Sequence, residues 1–130
     1  MCLDKLEKFK ISKYVGYVIM RKQYSDSETL PALYSSLWWH FNNCEIGVKY
    51  IAHNIKALTL NNNFEQYTSG FHIFLRKKDA IKYNCNNCNG NIVTTTIMKC
   101  KFSKVLAKGL QNNMKCVVAN ERTLLKEVKE

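Results

Sequence analysis

The chain has 130 residues, of which 20 are Lys or Arg and 10 are Asp or Glu, so its formal net charge is +10. Apolar residues, with tyrosine and cysteine included, make up 46% of the chain, which argues against an intrinsically disordered protein. No apolar run reaches the length of about 18 residues that a membrane span needs, and the first residues lack the apolar core of a signal peptide. We therefore expect a soluble, cytoplasmic protein with a single domain over residues 1–130.

The first half of the chain predicts mainly strands. Leucine and phenylalanine at helical spacing predict a short amphipathic helix over residues 3–10. A β-rich run with a glycine inside it predicts a buried strand over 14–20. Residues 30–41 fit a helix by the spacing of their leucines and a strand by their aromatic content, and both alternatives stay open. The run 46–51 predicts another strand, with Lys49 on its outer side.

The second half carries the clearest helix signal. A strand over 67–74, interrupted at its serine and glycine, precedes a predicted helix over 76–83 that turns Ala80 and Tyr83 inward. Residues 84–91, rich in asparagine and glycine, are predicted to form a loop.

The last third of the chain predicts antiparallel strands. In 92–102 the residues Met98, Cys100 and Phe102 alternate with lysines, as in a strand with one buried face. Residues 105–109 lead into a predicted turn at 111–113, and two further strands are predicted over 115–119 and 123–128. The pattern predicts an α+β domain, a mainly antiparallel curved sheet with one or two short helices packed on it.

The positive charge predicts a polyanionic partner, either a nucleic acid or a ribonucleoprotein, with RNA favoured over DNA. Nearly all of the charge is lysine, which contacts phosphate as a point charge, so binding would be directed to the backbone and sensitive to salt. The alternative is a solvated lysine coat produced by the codon usage of an AT-rich genome. The predicted surface combines helix and strand cations: Arg76, Lys77, Lys78, Lys82, Lys99, Lys101, Lys104 and Lys108. Trp38 and Trp39 are predicted as aromatic anchors on it.

The six cysteines are expected to be reduced, and no metal is predicted. The alternative is zinc, because Cys85 and Cys88 form a C-x-x-C that could supply two thiolates to a tetrahedral ion. The site needs two more ligands, for which Cys100, Cys116 or His72 would have to be recruited. The chain contains no phosphate-binding loop, dinucleotide-binding, zinc-protease or nucleophile-elbow motif, so its residues favour a binding protein over an enzyme.

A frame of residues in the second half of the chain resembles a group of small proteins common in phages and mobile elements. The frame consists of Gly70-Phe71-His72-x-Phe74, Asp79-Ala80-x-x-Tyr83, Lys99-Cys100, Gly109, Val118-Ala119 and Leu125-x-Glu127-Val128. The resemblance implies a virus-borne accessory protein that acts in the cytosol of a host cell. With the charge, it suggests an antagonist of host defence that blocks an RNA-guided effector or its guide RNA, as CRISPR inhibitors do.

A second set of features is similar to ADP-ribosyltransferase folds. A strand with alternating aromatic residues, an Ala-x-x-Tyr helix and a strand ending near a glycine follow one another in that order. This resemblance implies an enzyme that uses NAD, with Arg21, His72 and Glu121 as candidates for NAD contact and catalysis. It is the enzyme alternative to the binding protein.

Overall fold

The described part of the chain is a mostly antiparallel sheet that carries one short helix. A computed structural model describes residues 3–23, 33–36, 44–52, 57–59, 66–87 and 95–128. The strands are β1 Lys5–Leu6, β2 Val15–Gln23, β3 Leu33–Ser36, β4 Lys49–Ile51, β5 Ala57–Thr59, β6 Gln66–Thr68, β7 Phe71–Phe74, β8 Thr95–Gln111 and β9 Met114–Val128, and the helix is α1 Lys77–Asn87. None of the helices in these ranges is long and apolar enough to cross a membrane. At this level the predicted combination of an antiparallel sheet and a short helix is confirmed.

The longest element is the hairpin formed by β8 and β9, which pair along nearly their whole length. Its turn is made by Asn112 and Asn113, whose φ values of 49° and 63° are those of a two-residue hairpin turn. The predicted turn is therefore confirmed. The sequence predicts one strand that ends at residue 102 and a break between residues 119 and 123. Both predictions are wrong, because β8 and β9 pair with each other through these positions. Lys104 adopts a left-handed φ of 55°, and the register between β8 and β9 shifts just after it, between Val105 and Ala107.

Four strands close into a ring, because the two arms of this hairpin are joined by β2 and β7. Strand β2 pairs with β8, β7 pairs with β9, and the seam between β2 and β7 is the pair Tyr17 and Phe74. At Gly16, beside this seam, an added Cβ would stand 2.7 Å from the carbonyl oxygen of Phe74. A glycine is required there because the two backbones approach too closely for a side chain.

The ring divides the apolar residues into an inner and an outer layer. The inner layer, within the ring, includes Val18, Met20, Phe71, Ile73, Met98, Cys100, Phe102 and Leu124. The outer layer lies beneath α1 and includes Ile19, Phe74, Ala80, Tyr83, Ile97, Cys116 and Val118. The predicted inward faces of the helix and of residues 98–102 are thus confirmed.

Two further local predictions are wrong. Residues 3–10 do not form a helix: Lys5 and Leu6 pair with the end of β8, and Leu3 is fully buried. Pairing with an existing strand satisfies this segment's backbone groups and outweighs the weak helical spacing. Residues 84–87 are not a loop, since α1 continues to Asn87. Of the ambiguous run 30–41, residues 33–36 form β3.

Candidate polyanion-binding surface

The segment between β1 and β2 runs alongside β8 and is tied to it at several points. The backbone N–H of Glu7 donates to the carbonyl of Lys108, and the ammonium of Lys108 donates to the carbonyl of Phe9 at 2.7 Å. Further along, the N–H of Phe102 donates to the carbonyl of Tyr14 at 3.0 Å. The segment therefore brings its own lysines next to those of β8.

Three adjoining grooves line this region. One is lined by Lys10, Ile11, Ser12, Lys13, Val15, Tyr17, Leu75 and Lys99. The second, here called the tyrosine groove, is lined by Ile11, Tyr14, Lys104, Val105 and Lys108. The third is lined by Lys49, Lys101, Phe102, Ser103, Glu121, Arg122 and Thr123. We call the lysines of the three grooves the lysine surface: Lys10, Lys13, Lys49, Lys99, Lys101, Lys104 and Lys108.

One carboxylate lies within the lysine surface. Glu121 accepts hydrogen bonds from Lys104 at 3.0 Å and from Ser103 at 2.8 Å, and the ammonium of Lys49 lies 3.5 Å away. The hydrogen bonds from Lys104 and Ser103 lower the pKa of Glu121 to about 2. Glu121 is therefore ionised at neutral pH and orients two of the lysines, while the surface as a whole stays strongly positive.

The structure divides the cations predicted from the sequence between two places. Lys99, Lys101, Lys104 and Lys108 all belong to the lysine surface. Lys78 and Lys82 are exposed on α1, Lys77 is half-buried, and Arg76 forms an ion pair with Asp79 at 3.1 Å. The helix is linked to the lysine surface through Leu75, which shares a groove with Lys99. Strand β8 extends for roughly 30 Å from Lys99 to Lys108, at about 3.3 Å per residue, and carries the other lysines of the surface away from the groove that Leu75 lines. Trp38 and Trp39 lie outside the described residues.

Tyr14 is an exposed aromatic residue that the sequence reading missed. The sequence predicts it at the start of a buried strand, but β2 begins at Val15 and Tyr14 is 56% exposed. Its ring lies at a tilt of 58° to that of Phe102, with centroids 5.6 Å apart. The alternation of lysines with aromatic and apolar residues over 8–14 was the available signal, since interleaving of this kind is typical of nucleic-acid-binding surfaces.

The residues of the enzyme alternative are placed in different parts of the sheet. Arg21 pairs with Thr95 at one end of the β2–β8 ladder, whereas Glu121 pairs with Ser103. Thr95 and Ser103 are separated by eight residues of one strand, a distance of roughly 26 Å. Arg21 and Glu121 are therefore not brought together.

His72 is held as a neutral structural side chain. Its Nε2 lies 3.0 Å from the hydroxyl of Tyr67, which in turn accepts the backbone N–H of Leu3 at 2.9 Å. Burial lowers the pKa of His72 to about 4. Since the Tyr67 hydroxyl accepts from Leu3, its proton is directed to the unprotonated Nε2 of the imidazole. This chain of hydrogen bonds fixes Leu3 on the outer apolar layer.

The cysteines of the zinc alternative are also separated. Cys100 lies in the inner layer and Cys116 in the outer layer, so the two thiols lie on opposite faces of the sheet. Burial raises the pKa of Cys100 to about 12 and raises that of Cys116 as well, which keeps both protonated. Cys85 is in the last turn of α1, and Cys88 lies outside the described residues. Within those residues no cluster of three metal-ligating side chains is present.

Arg122 is a buried cation that the sequence reading also missed. Its side chain is directed into the inner layer, where the guanidinium lies 4.2 Å from the centroid of the Phe71 ring and bonds to the thiol of Cys44. The residue is 4% exposed, and Nε and Nη2 have no hydrogen-bond acceptor in the described part of the chain. No local pattern in the sequence marks Arg122 as buried, and only the pairing of β9 directs it inward.

No family model matches this chain, and neither a curated protein nor a solved structure does. The function is therefore argued from the geometry of the lysine surface.

Proposed function

We propose that the protein binds RNA through the lysine surface and does so as a binding protein rather than an enzyme. One observation supports this proposal above the others: of the charged side chains that line the three grooves in the described residues, seven are lysines and one is a carboxylate, apart from the buried Arg122. A concentration of one sign of charge along grooves attracts a polymer of the opposite charge and raises its rate of association.

The chemistry of lysine defines the kind of recognition. An ammonium binds phosphate oxygens without the bidentate geometry by which arginine reads guanine, so the surface is suited to the backbone of the polymer. Each phosphate contact on a single strand releases a counterion and contributes about −0.7 to the slope of log K against log salt. We therefore expect weak sequence preference and a steep dependence on salt.

The narrower proposal is that the bound RNA belongs to an RNA-guided effector of a host and that binding blocks it. Its support is the resemblance of the strand–helix–strand frame, residues 70–128, to small phage and mobile-element proteins. A protein of this kind needs a surface that competes for guide RNA, and it needs no catalytic residue.

A pair of charge-reversed variants tests the proposal. Lys13→Glu with Lys101→Glu changes two exposed residues of the lysine surface, and Lys78→Glu with Lys82→Glu changes two exposed residues of α1. Both double variants lower the formal net charge from +10 to +6, because each Lys→Glu change removes two units. Fluorescence anisotropy with a labelled single-stranded RNA measures their affinities over a series of salt concentrations.

We expect the variant of the lysine surface to bind at least tenfold more weakly, with a salt slope smaller by about 1.4 for two lost contacts. The helix variant should lose much less. Equal losses in the two variants would show that only the overall charge matters and would overturn the assignment to the lysine surface. An unmodified protein that fails to bind RNA at low salt would refute the proposed function itself.

A further inference from the structure

We infer that the tyrosine groove binds one unpaired base of a single-stranded nucleic acid, with Tyr14 stacking on the base and Lys104 and Lys108 contacting the phosphates on either side. This inference rests on the proposed function and narrows it from polyanions in general to single strands. It gives Tyr14 a specific role, whereas the positive charge of the surface gives this residue none.

The volume and lining of the groove suit a small, partly apolar ligand. Its volume is about 420 Å³, which lies within the range of about 300–1,000 Å³ common for small-molecule sites. Ile11 and Val105 supply apolar surface, and Tyr14 supplies an aromatic wall. A surface that bound only phosphates would gain nothing from this lining, whereas the face of a base is buried favourably against it.

Tyr14 is held in place on one side and free on the other. The backbone is fixed by the hydrogen bond from Phe102 to its carbonyl, and its ring contacts the ring of Phe102. More than half of the side chain is nevertheless exposed to solvent. A ring that is already oriented loses little conformational entropy when a base stacks on it, so most of the stacking energy is available for binding.

The two cations of the groove are positioned by contacts within the protein. Lys108 donates to the carbonyl of Phe9 and lies 5.8 Å from the centre of its ring. Lys104 is oriented by its ion pair with Glu121. An ammonium has three donors, and each of these pairings uses one, so both lysines can still donate to phosphate. Two cations beside the aromatic wall match a nucleotide within a strand, which has one base and a phosphate on each side.

A double helix does not present this ligand. In a duplex the faces of the bases are covered by stacking, and only an end or a distorted pair could reach Tyr14. The groove therefore discriminates single strands from duplexes, although the lysine surface attracts both.

The test compares three polyanions and two substitutions at Tyr14. The ligands are a labelled oligouridylate, a duplex RNA of the same length and heparin, which is a polyanion without bases. Tyr14→Leu removes the aromatic ring and keeps an apolar side chain, whereas Tyr14→Phe keeps the ring. Circular dichroism and thermal unfolding check that both variants fold.

We expect Tyr14→Leu to weaken binding of oligouridylate by roughly 5- to 150-fold, the range given by stacking of one base. Tyr14→Phe should restore most of the affinity, and the affinities for heparin and duplex should not change. If Tyr14→Leu leaves oligouridylate binding unchanged, or weakens heparin binding equally, the inference is wrong while the proposed function stands. If the unmodified protein binds none of the three ligands, the proposed function is refuted, and the inference that rests on it is refuted as well.

Discussion

The hydrogen bonds that join Leu3, Tyr67 and His72 make a strong prediction about the dependence of stability on pH. The pKa of His72 is lowered from 6.5 to about 4 in the folded protein. In the unfolded chain the imidazole recovers its ordinary pKa, so between these values the unfolded state binds a proton that the folded state does not. The stability that this site contributes is present above pH 6.5 and is lost as the pH falls to about 4.

The size of the effect follows from the two pKa values. The shift of about 2.5 units corresponds to roughly 3 kcal/mol, of which about 2 kcal/mol is lost between pH 7 and pH 5. The interval down to pH 5 is the useful one, because most carboxylates remain ionised over it. A loss of this size is a substantial part of the 5–15 kcal/mol that stabilises a typical domain.

The assay is urea denaturation of the unmodified protein and of His72→Gln at pH 7 and pH 5. Glutamine does not titrate, and its amide oxygen can accept the hydrogen bond of Tyr67 where Nε2 did. The other two histidines of the chain are present in both proteins and cancel in the comparison. We expect the unmodified protein to lose about 2 kcal/mol more than His72→Gln over this interval. Equal losses would refute the reasoning, since they would mean that His72 accepts a proton in the folded protein as readily as in the unfolded chain.

Two further predictions concern the ring of strands. Arg122→Met should raise the free energy of unfolding by about 1–2 kcal/mol in urea denaturation at neutral pH. A well-packed apolar residue avoids burying two unpartnered guanidinium nitrogens, at the cost of one cation–π contact and the weak hydrogen bond to the Cys44 thiol. A loss of 1 kcal/mol or more would show that the guanidinium is satisfied in the folded protein. Gly16→Ala should lower the melting temperature and reduce the free energy of unfolding by at least about 2 kcal/mol. The reason is that its methyl group would meet the carbonyl of Phe74 at the seam between β2 and β7. A variant as stable as the unmodified protein would mean that the two strands can move apart there without loss of stability.

Local patterns in the sequence were sufficient for several elements. Ala80 and Tyr83 lie three residues apart, so a helix places them on one face, and they do lie in the outer layer. Met98 and Cys100 alternate with lysines, and a strand buries them together. The asparagine pair of the hairpin turn tolerates positive φ, so the turn was also predictable. In each case the residues that decide the outcome are neighbours along the chain.

The elements that the sequence predicted wrongly depend on distant partners. Residues 3–10 have helical spacing, but β1 pairs with residues of β8 more than 100 positions away. The exposure of Tyr14 likewise follows from a distant partner, because its carbonyl accepts a hydrogen bond from Phe102 of β8 just before β2 begins at Val15. Neither partner is adjacent in the sequence, so periodicity within a short window carries no information about it.

The sequence by itself determined an antiparallel sheet with a short helix and a large excess of lysine, because side-chain periodicity and charge are properties of the residues and their neighbours. Only the tertiary structure decided that the strands close into a ring, that Arg122 is directed into it and that lysines from three parts of the chain share adjoining grooves with Tyr14. These features depend on strand register, and register is set by the simultaneous packing of both faces of the sheet. The candidate site belongs to this second group, since its residues become neighbours only when β4, β8 and the segment before β2 are brought together.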